Sequence, residues 1–177
     1  EKPSIVEGPA KRYYAEIMMP FRTAIKNNLK KLDELEIKLI APSHGPLYDD
    51  PELIVNAYKD WVGDDVKNEV VLAHVSMHES TRRMSEHFIS ALMEKGIAVK
   101  PFNLTHADSG ELAMAMVDAA TIAIASPTVL VGAHPKAAYA AILANALKPK
   151  ARFATIFGSF GWGSKMVEQL TSLLPNL

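Results

Sequence analysis

From residue 70 onward, short apolar runs alternate with longer stretches in which apolar side chains recur at helical spacing. The runs cover residues 70–75, 98–104, 121–125 and 152–157. The first, Val70-Val71-Leu72-Ala73-His74-Val75, is rich in β-branched residues and predicts a strand buried on both faces. The periodic stretches predict helices over 80–95, 109–119, 135–147 and 164–174. In the first helix the stripe falls on Met84, Phe88, Ile89, Leu92 and Met93, and Gly96 is a C′ residue of the expected type. Asp108 or Ser109 caps the second, and Pro135 opens the Ala-rich third. Strands alternating with helices at this spacing imply right-handed βαβ units, an α/β fold with a parallel sheet and helices on both faces.

The first 65 residues are patterned differently. Residues 9–32 carry apolar positions at Ile17, Met18, Phe21, Ile25, Leu29 and Leu32, and Pro20 predicts a kink or two helices. Residues 37–41 read as a strand ending in the tight loop Pro42-Ser43-His44-Gly45-Pro46. A helix over 51–62 follows, with Leu53, Ile54, Ala57, Tyr58 and Trp61 on its apolar side. Helix, strand and helix bury little alone, so this part needs a partner surface. The polar stretch 63–68 marks a boundary between residues 1–65 and 66–177.

Composition narrows the function classes. Apolar content of 49% supplies a packed core, and a net charge of -1 gives no basic surface for nucleic acid. Zero cysteines exclude disulfides and thiolate-bound metals and fit a reducing compartment. The most apolar segment, residues 119–133, is short and contains Pro127, so no membrane span is expected. A cytoplasmic protein is expected, and a start at Glu1 without Met suggests a fragment or a processed product.

Ligands of such sheets bind beyond the carboxyl ends of the strands, where connections diverge to opposite faces. The loops there are 76–81, 126–134 and 158–163. Ser76, Ser80 and Thr81 offer hydroxyls at a helix N-terminus, where free amides and the helix dipole favour an anion. Ser80 as a simple cap is the plainer alternative. No Lys follows in the manner of a nucleotide P-loop, which disfavours a triphosphate. Phe160 and Trp162 lie between Gly158, Gly161 and Gly163, as a stacking platform or as an apolar plug over the sheet end. Together the two loops point to a planar heterocycle with one phosphate, which is FMN rather than ATP. Of the histidines, His74 reads as a hydrogen-bonded core residue, His87 and His106 as solvent-facing, and His134 as a flavin neighbour or a plain helix start.

Residues 69–174 resemble a flavodoxin-type domain. Ser76-Met77-His78-Glu79-Ser80-Thr81, Ser126-Pro127-Thr128-Val129-Leu130 and Gly158-Ser159-Phe160-Gly161-Trp162-Gly163 resemble segments of the flavodiiron proteins (A-type flavoproteins). Ala10-Lys11-Arg12-Tyr13-Tyr14-Ala15, Ile17-Met18-Met19-Pro20-Phe21-Arg22 and Ala41-Pro42-Ser43-His44-Gly45-Pro46 resemble the last part of that family's metallo-β-lactamase-like domain. The likeness covers nearly the whole chain. It implies a flavodoxin-like sheet of order 2-1-3-4, its fifth strand and final helix missing, after a helix-strand-helix remnant of the metal domain. It also implies an oxidoreductase that reduces dioxygen to water or nitric oxide to nitrous oxide. FMN, a di-iron centre, an electron donor protein or reduced cofactor, and a homo-oligomer come with it.

Residue by residue, the resemblance assigns Ser76, Met77, His78, Glu79, Ser80 and Thr81 to the FMN phosphate. It places Pro127, Thr128, Val129, Leu130, Ser159, Phe160, Gly161, Trp162 and Gly163 around the isoalloxazine, with Trp162 and Phe160 against the ring. Glu79 departs from the Gly usual there. His44 matches the family's last iron ligand. The earlier ligands, a His-x-Glu-x-Asp-His cluster with later His and Asp residues, lie upstream of Glu1. The di-iron centre is thus expected in the intact protein only, and no catalytic residue is assigned to this chain. The alternative, a non-catalytic signalling module of receiver type, needs acidic residues where Ser76 and Ser126 stand. An NAD-binding domain needs a Gly-x-Gly-x-x-Gly that is missing after the first strand.

Overall fold

The computed structural model describes residues 3–177. Four strands, β1 (Lys67–His74), β2 (Ala98–Asn103), β3 (Ala119–Val129) and β5 (Phe153–Ser159), form a parallel sheet. Their spatial order is β2-β1-β3-β5, and the two-residue β4 (Gly132–Ala133) folds back antiparallel on the end of β3. With the hairpin set aside, this is the expected order 2-1-3-4. Val70 lies opposite Val99 and Thr121, and His74 opposite Asn103 and Ala125.

That register sorts the side chains into two layers. Val70, Leu72, Ala123 and Ala125 face α4 (Ser80–Met93) through Phe88, Ile89 and Leu92. Val71, Ala73, Val75, Ile122 and Ile124 face α5 (Ser109–Met116), α6 (Pro135–Leu147) and α7 (Met166–Ser172). A single helix therefore covers one face of the sheet and three cover the other.

The front of the chain forms α1 (Pro3–Tyr13), α2 (Arg22–Leu32) and α3 (Pro51–Val62). Tyr14, Met19, Trp61 and Val62 pack against Ala113, Val117 and Leu147, the outer side of α5 and α6. This is the partner surface that the front segment lacked in the sequence: α6 packs Ala137, Ala140, Ala141 and Ala144 with the sheet and Leu147 with the front helices, while Tyr139 and Ile142 stay exposed. Polar ties accompany the packing. Asp118, only 4% exposed, takes Lys11 at 2.6 Å, Lys67 at 3.1 Å and Lys150 at 3.7 Å. Burial alone raises a carboxyl pKa, but hydrogen bonds and charge from Lys11 and Lys67 outweigh it and hold Asp118 below the usual range.

Several expectations change. The helix predicted over 9–32 starts at Pro3 and contains Pro9, and it breaks into α1 and α2 through a π-turn (Tyr14–Met18) and a 3-10 turn (Met19–Phe21). The π-turn shifts the helical register, so Tyr14, Ala15 and Met19 are buried while Ile17 and Phe21 are exposed. The strand predicted over 37–41 is one antiparallel bridge, Ile40 to Tyr48; no further strand of the described residues runs beside it. In α4 the buried face runs through Thr81 and Ser85, leaving Met84 and Met93 exposed. The second predicted helix ends at Met116, three residues early, and the chain turns at Asp118 into its lysine cluster. The loop expected over 126–134 is largely a β-hairpin. β5 is an edge strand as expected: among the described residues it pairs only with β3, and Phe153 is 65% exposed.

Candidate functional site

The three loops meet at the carboxyl edge of the sheet, at the ends of β1, β3 and β5. In the first, Ser80 donates to His78 O at 2.8 Å and the Arg83 amide to Glu79 O at 2.9 Å. Among the described residues, the amides of Ser76, Met77, His78, Glu79, Thr81 and Arg82 have no backbone acceptor. The Ser76 hydroxyl oxygen is buried and also has no partner. A run of free amides with an orphaned hydroxyl in the same loop, at a helix N-terminus, is suited to an anion. Glu79, at φ +68, takes the left-handed conformation that explains why flavodoxin-type loops use Gly there. Its carboxylate is ion-paired with Arg82, which lowers the negative field at the loop. Glu79, not Ser80, is the residue before the helix, and its side chain makes no cap.

Hydroxyl pairs tie the loops together. Thr81 Oγ1 and Ser159 Oγ lie 3.0 Å apart, linking the first loop to the third. Thr128 Oγ1 and Ser164 Oγ lie 2.7 Å apart, and the Lys165 amide donates to Val131 O at 2.7 Å, linking the second to the third. Ser126 Oγ donates to Pro127 O and accepts from the His134 amide, which anchors the hairpin base. A Cβ at Gly158 would collide with the Ser126 carbonyl, so close approach of β5 to β3 requires glycine. Gly158 was read only as part of the aromatic loop, and Ser164 and Lys165 were missed as site residues; the Gly-Ser-Lys step after Trp162 is the trace that these two leave.

The assigned residues divide by exposure. Pro127 is buried, Thr128 and Val129 are half-buried, and Ser159 is half-buried beside Thr81. Leu130, Phe160, Gly161, Trp162 and Gly163 are exposed, as are Met77, His78, Glu79 and Ser80. Leu130 and Trp162, each 97% exposed, stand free at the rim. The edge is therefore polar and rich in free donors at α4 and apolar along the hairpin tip and the aromatic loop.

The histidines fall out separately. His74 ends β1, half-buried, and its Nδ1 has no hydrogen-bond partner, contrary to the expected hydrogen-bonded core residue. Burial lowers its pKa, with the charge of Glu86 opposing. His134 accepts from the Lys136 amide at 3.1 Å and so caps α6; burial and Lys136 lower its pKa. His87 and His106 are exposed. His44 lies in the front half, its ring 5.7 Å from that of Tyr13, at an apolar cavity of about 660 Å³ lined by Leu29, Ile40, Tyr48 and Tyr58. Among the described residues no three metal-ligating side chains converge on one point.

No family model matches the chain. It is similar, however, to curated proteins and solved structures along nearly its whole length. A nitric oxide reductase of Moorella thermoacetica is 34% identical over 165 residues, 90% of this chain and 41% of that protein. The rubredoxin oxygen:oxidoreductase of Desulfovibrio gigas superposes with a TM-score of 0.84 at 25% identity, over 92% of this chain and 43% of that one. The flavodiiron protein of Giardia intestinalis also gives 0.84 at 25% identity, over 93% and 41%. The chain resembles the flavodiiron proteins over nearly its whole length. It spans about 40% of the length of the curated relatives it matches.

Proposed function

We propose that this chain is the FMN-binding, electron-transfer part of a flavodiiron oxidoreductase that reduces dioxygen to water or nitric oxide to nitrous oxide. The carrying observation is the loop at the head of α4, with its free amides and the buried, unpartnered Ser76 hydroxyl. These residues fit a phosphate monoester. In this reading Ser76, Met77, His78, Glu79, Ser80 and Thr81 hold the phosphate. Pro127, Thr128, Val129 and Leu130 line one side of the isoalloxazine, and residues 159–163 line the other, with Trp162 and Phe160 against the ring. FMN, once bound, supplies one- and two-electron redox chemistry, and the chain orients it and shapes its surroundings. An electron donor protein or reduced cofactor, a homo-oligomeric state and a cytoplasmic location belong to the same proposal.

Residues 66–177 are taken as the flavin domain and residues 1–65 as the closing part of the metal domain, with His44 as an iron ligand. One imidazole does not hold two irons, so the other ligands come from outside these residues. Metal analysis of the 177-residue protein should find no stoichiometric iron; about two per chain would overturn this account of the site.

Titration of flavin-free protein with FMN and with riboflavin tests the flavin site, read through Trp162 fluorescence. FMN should bind much more tightly than riboflavin, since only FMN reaches the amides of the first loop. Equal affinities would remove the phosphate seat.

A further inference from the structure

The start of α4 reverses a common capping pattern. A capping box places Ser or Thr before a helix and Glu or Gln at its third position, so that two side chains satisfy free amides. Here Glu79 stands before the helix and Arg82 at the third position. Arg82 has no acceptor to offer an amide, and the helix dipole opposes a cation in the first turn. Glu79 does carry acceptors, and a carboxylate at a helix N-terminus is drawn to the amides there by charge and hydrogen bonding. Its side chain nevertheless makes no cap, and among the described residues the amides of Thr81 and Arg82 stay free.

Arg82 is what holds the carboxylate elsewhere. Its Nη2 is ion-paired with Glu79 Oε2, and its Nη1 donates to Glu86 Oε1 at 3.2 Å, one turn further along α4. Glu86 steadies the guanidinium, and the guanidinium steadies Glu79. All three side chains are more than half exposed, and exposed pairs at this spacing add little to fold stability. The arrangement therefore matters for where the carboxylate lies. Released, it would settle on the amides as an internal anion and repel an incoming one.

Resting on the phosphate reading above, we propose that Arg82 is a positioning residue of the anion seat. With Glu86 as its anchor, it holds the Glu79 carboxylate off the amides and keeps them open to a phosphate monoester. A loop with Gly at position 79 needs no such strut; a loop with Glu does.

The test uses the full 177-residue chain, with Kd measured for FMN and for riboflavin in each variant. Arg82→Gln should weaken FMN about tenfold, the scale of one capping interaction, and leave riboflavin unchanged. Glu79→Gly/Arg82→Gln should bind FMN as tightly as Glu79→Gly alone, because no carboxylate is left to restrain. Arg83→Gln removes the same charge one position on, outside the pair, and should stay within about twofold of the unaltered protein for FMN, since a lone exposed charge acts weakly across water. Unchanged FMN affinity in Arg82→Gln overturns the inference, as does an equal loss for both flavins. A double variant as weak as Arg82→Gln means that the guanidinium acts on the phosphate directly, which overturns the positioning role. A loss in Arg83→Gln as large as in Arg82→Gln assigns the effect to charge in general and overturns the strut. If the unaltered protein binds FMN no more tightly than riboflavin, the phosphate reading itself fails, a result visible before any variant is made.

Discussion

At the end of β1, His74 alternates onto the same face as Val70 and Leu72, where Glu86 of α4 acts on it. Burial depresses its folded-state pKa below the unfolded value of about 6.5. As pH falls below that unfolded value, the unfolded chain binds a proton that the folded chain refuses. Stability therefore declines through the window between the two values and levels off below the folded one. His134, also depressed, adds a second contribution of the same sign. His74→Gln should flatten part of the decline, measured as urea midpoints at pH about 7.5 and about 5.5. Identical pH slopes in the two proteins would exclude a role for His74. The strand position of this residue was legible from the apolar run around it. The missing partner of Nδ1 was not, because it depends on what α4 and the neighbouring strands bring within reach.

At the scale of elements, Asp118, in the turn between α5 and β3, is joined to three segments distant in sequence: α1 through Lys11, the start of β1 through Lys67, and the α6–β5 connection through Lys150. Lys150 is buried with its side chain 4% exposed, and burial lowers its pKa despite Asp118. Asp118→Asn leaves that ammonium without its counter-charge, a change that destabilises by on the order of 3 kcal/mol when a buried pair is broken from one side. Urea denaturation should show this loss, with hydrogen exchange rising in α1 as well as in the sheet. A loss confined to the sheet would mean that the front helices are held by packing alone. The main strands and helices were readable from periodicity, to within a few residues. The strand over 37–41 was misread because Ile37 and Leu39 alternate with Glu36 and Lys38 as in a strand, but among the described residues only Ile40 finds a partner, Tyr48. The apolar positions Ile17 and Phe21 were misread because a π-turn leaves no mark in residue spacing.

For the whole molecule, the open side of β5 dominates. Its N–H and C=O groups on that side have no strand to pair with among the described residues, and Phe153 is exposed beside them. A long exposed edge of this kind recruits another chain. Sedimentation velocity should therefore show self-association that grows with concentration, and Phe153→Lys should reduce it. A clean monomer at the highest concentration would contradict the expectation. None of the helices is long and apolar enough to cross a membrane, a statement that holds for the described residues. By itself the sequence determined the parallel α/β class, the three loops at the carboxyl edge and the family resemblance. These depend on local periodicity and on short ordered segments, which survive in one dimension. Only the tertiary structure decided which amides stay free, which hydroxyls pair across loops, that Glu79, Leu130 and Val131 take positive φ, and that the front helices share a core with α5 and α6. Each of those is a property of groups far apart in the chain, and hydrogen-bond satisfaction and backbone strain exist only once the fold brings such groups together.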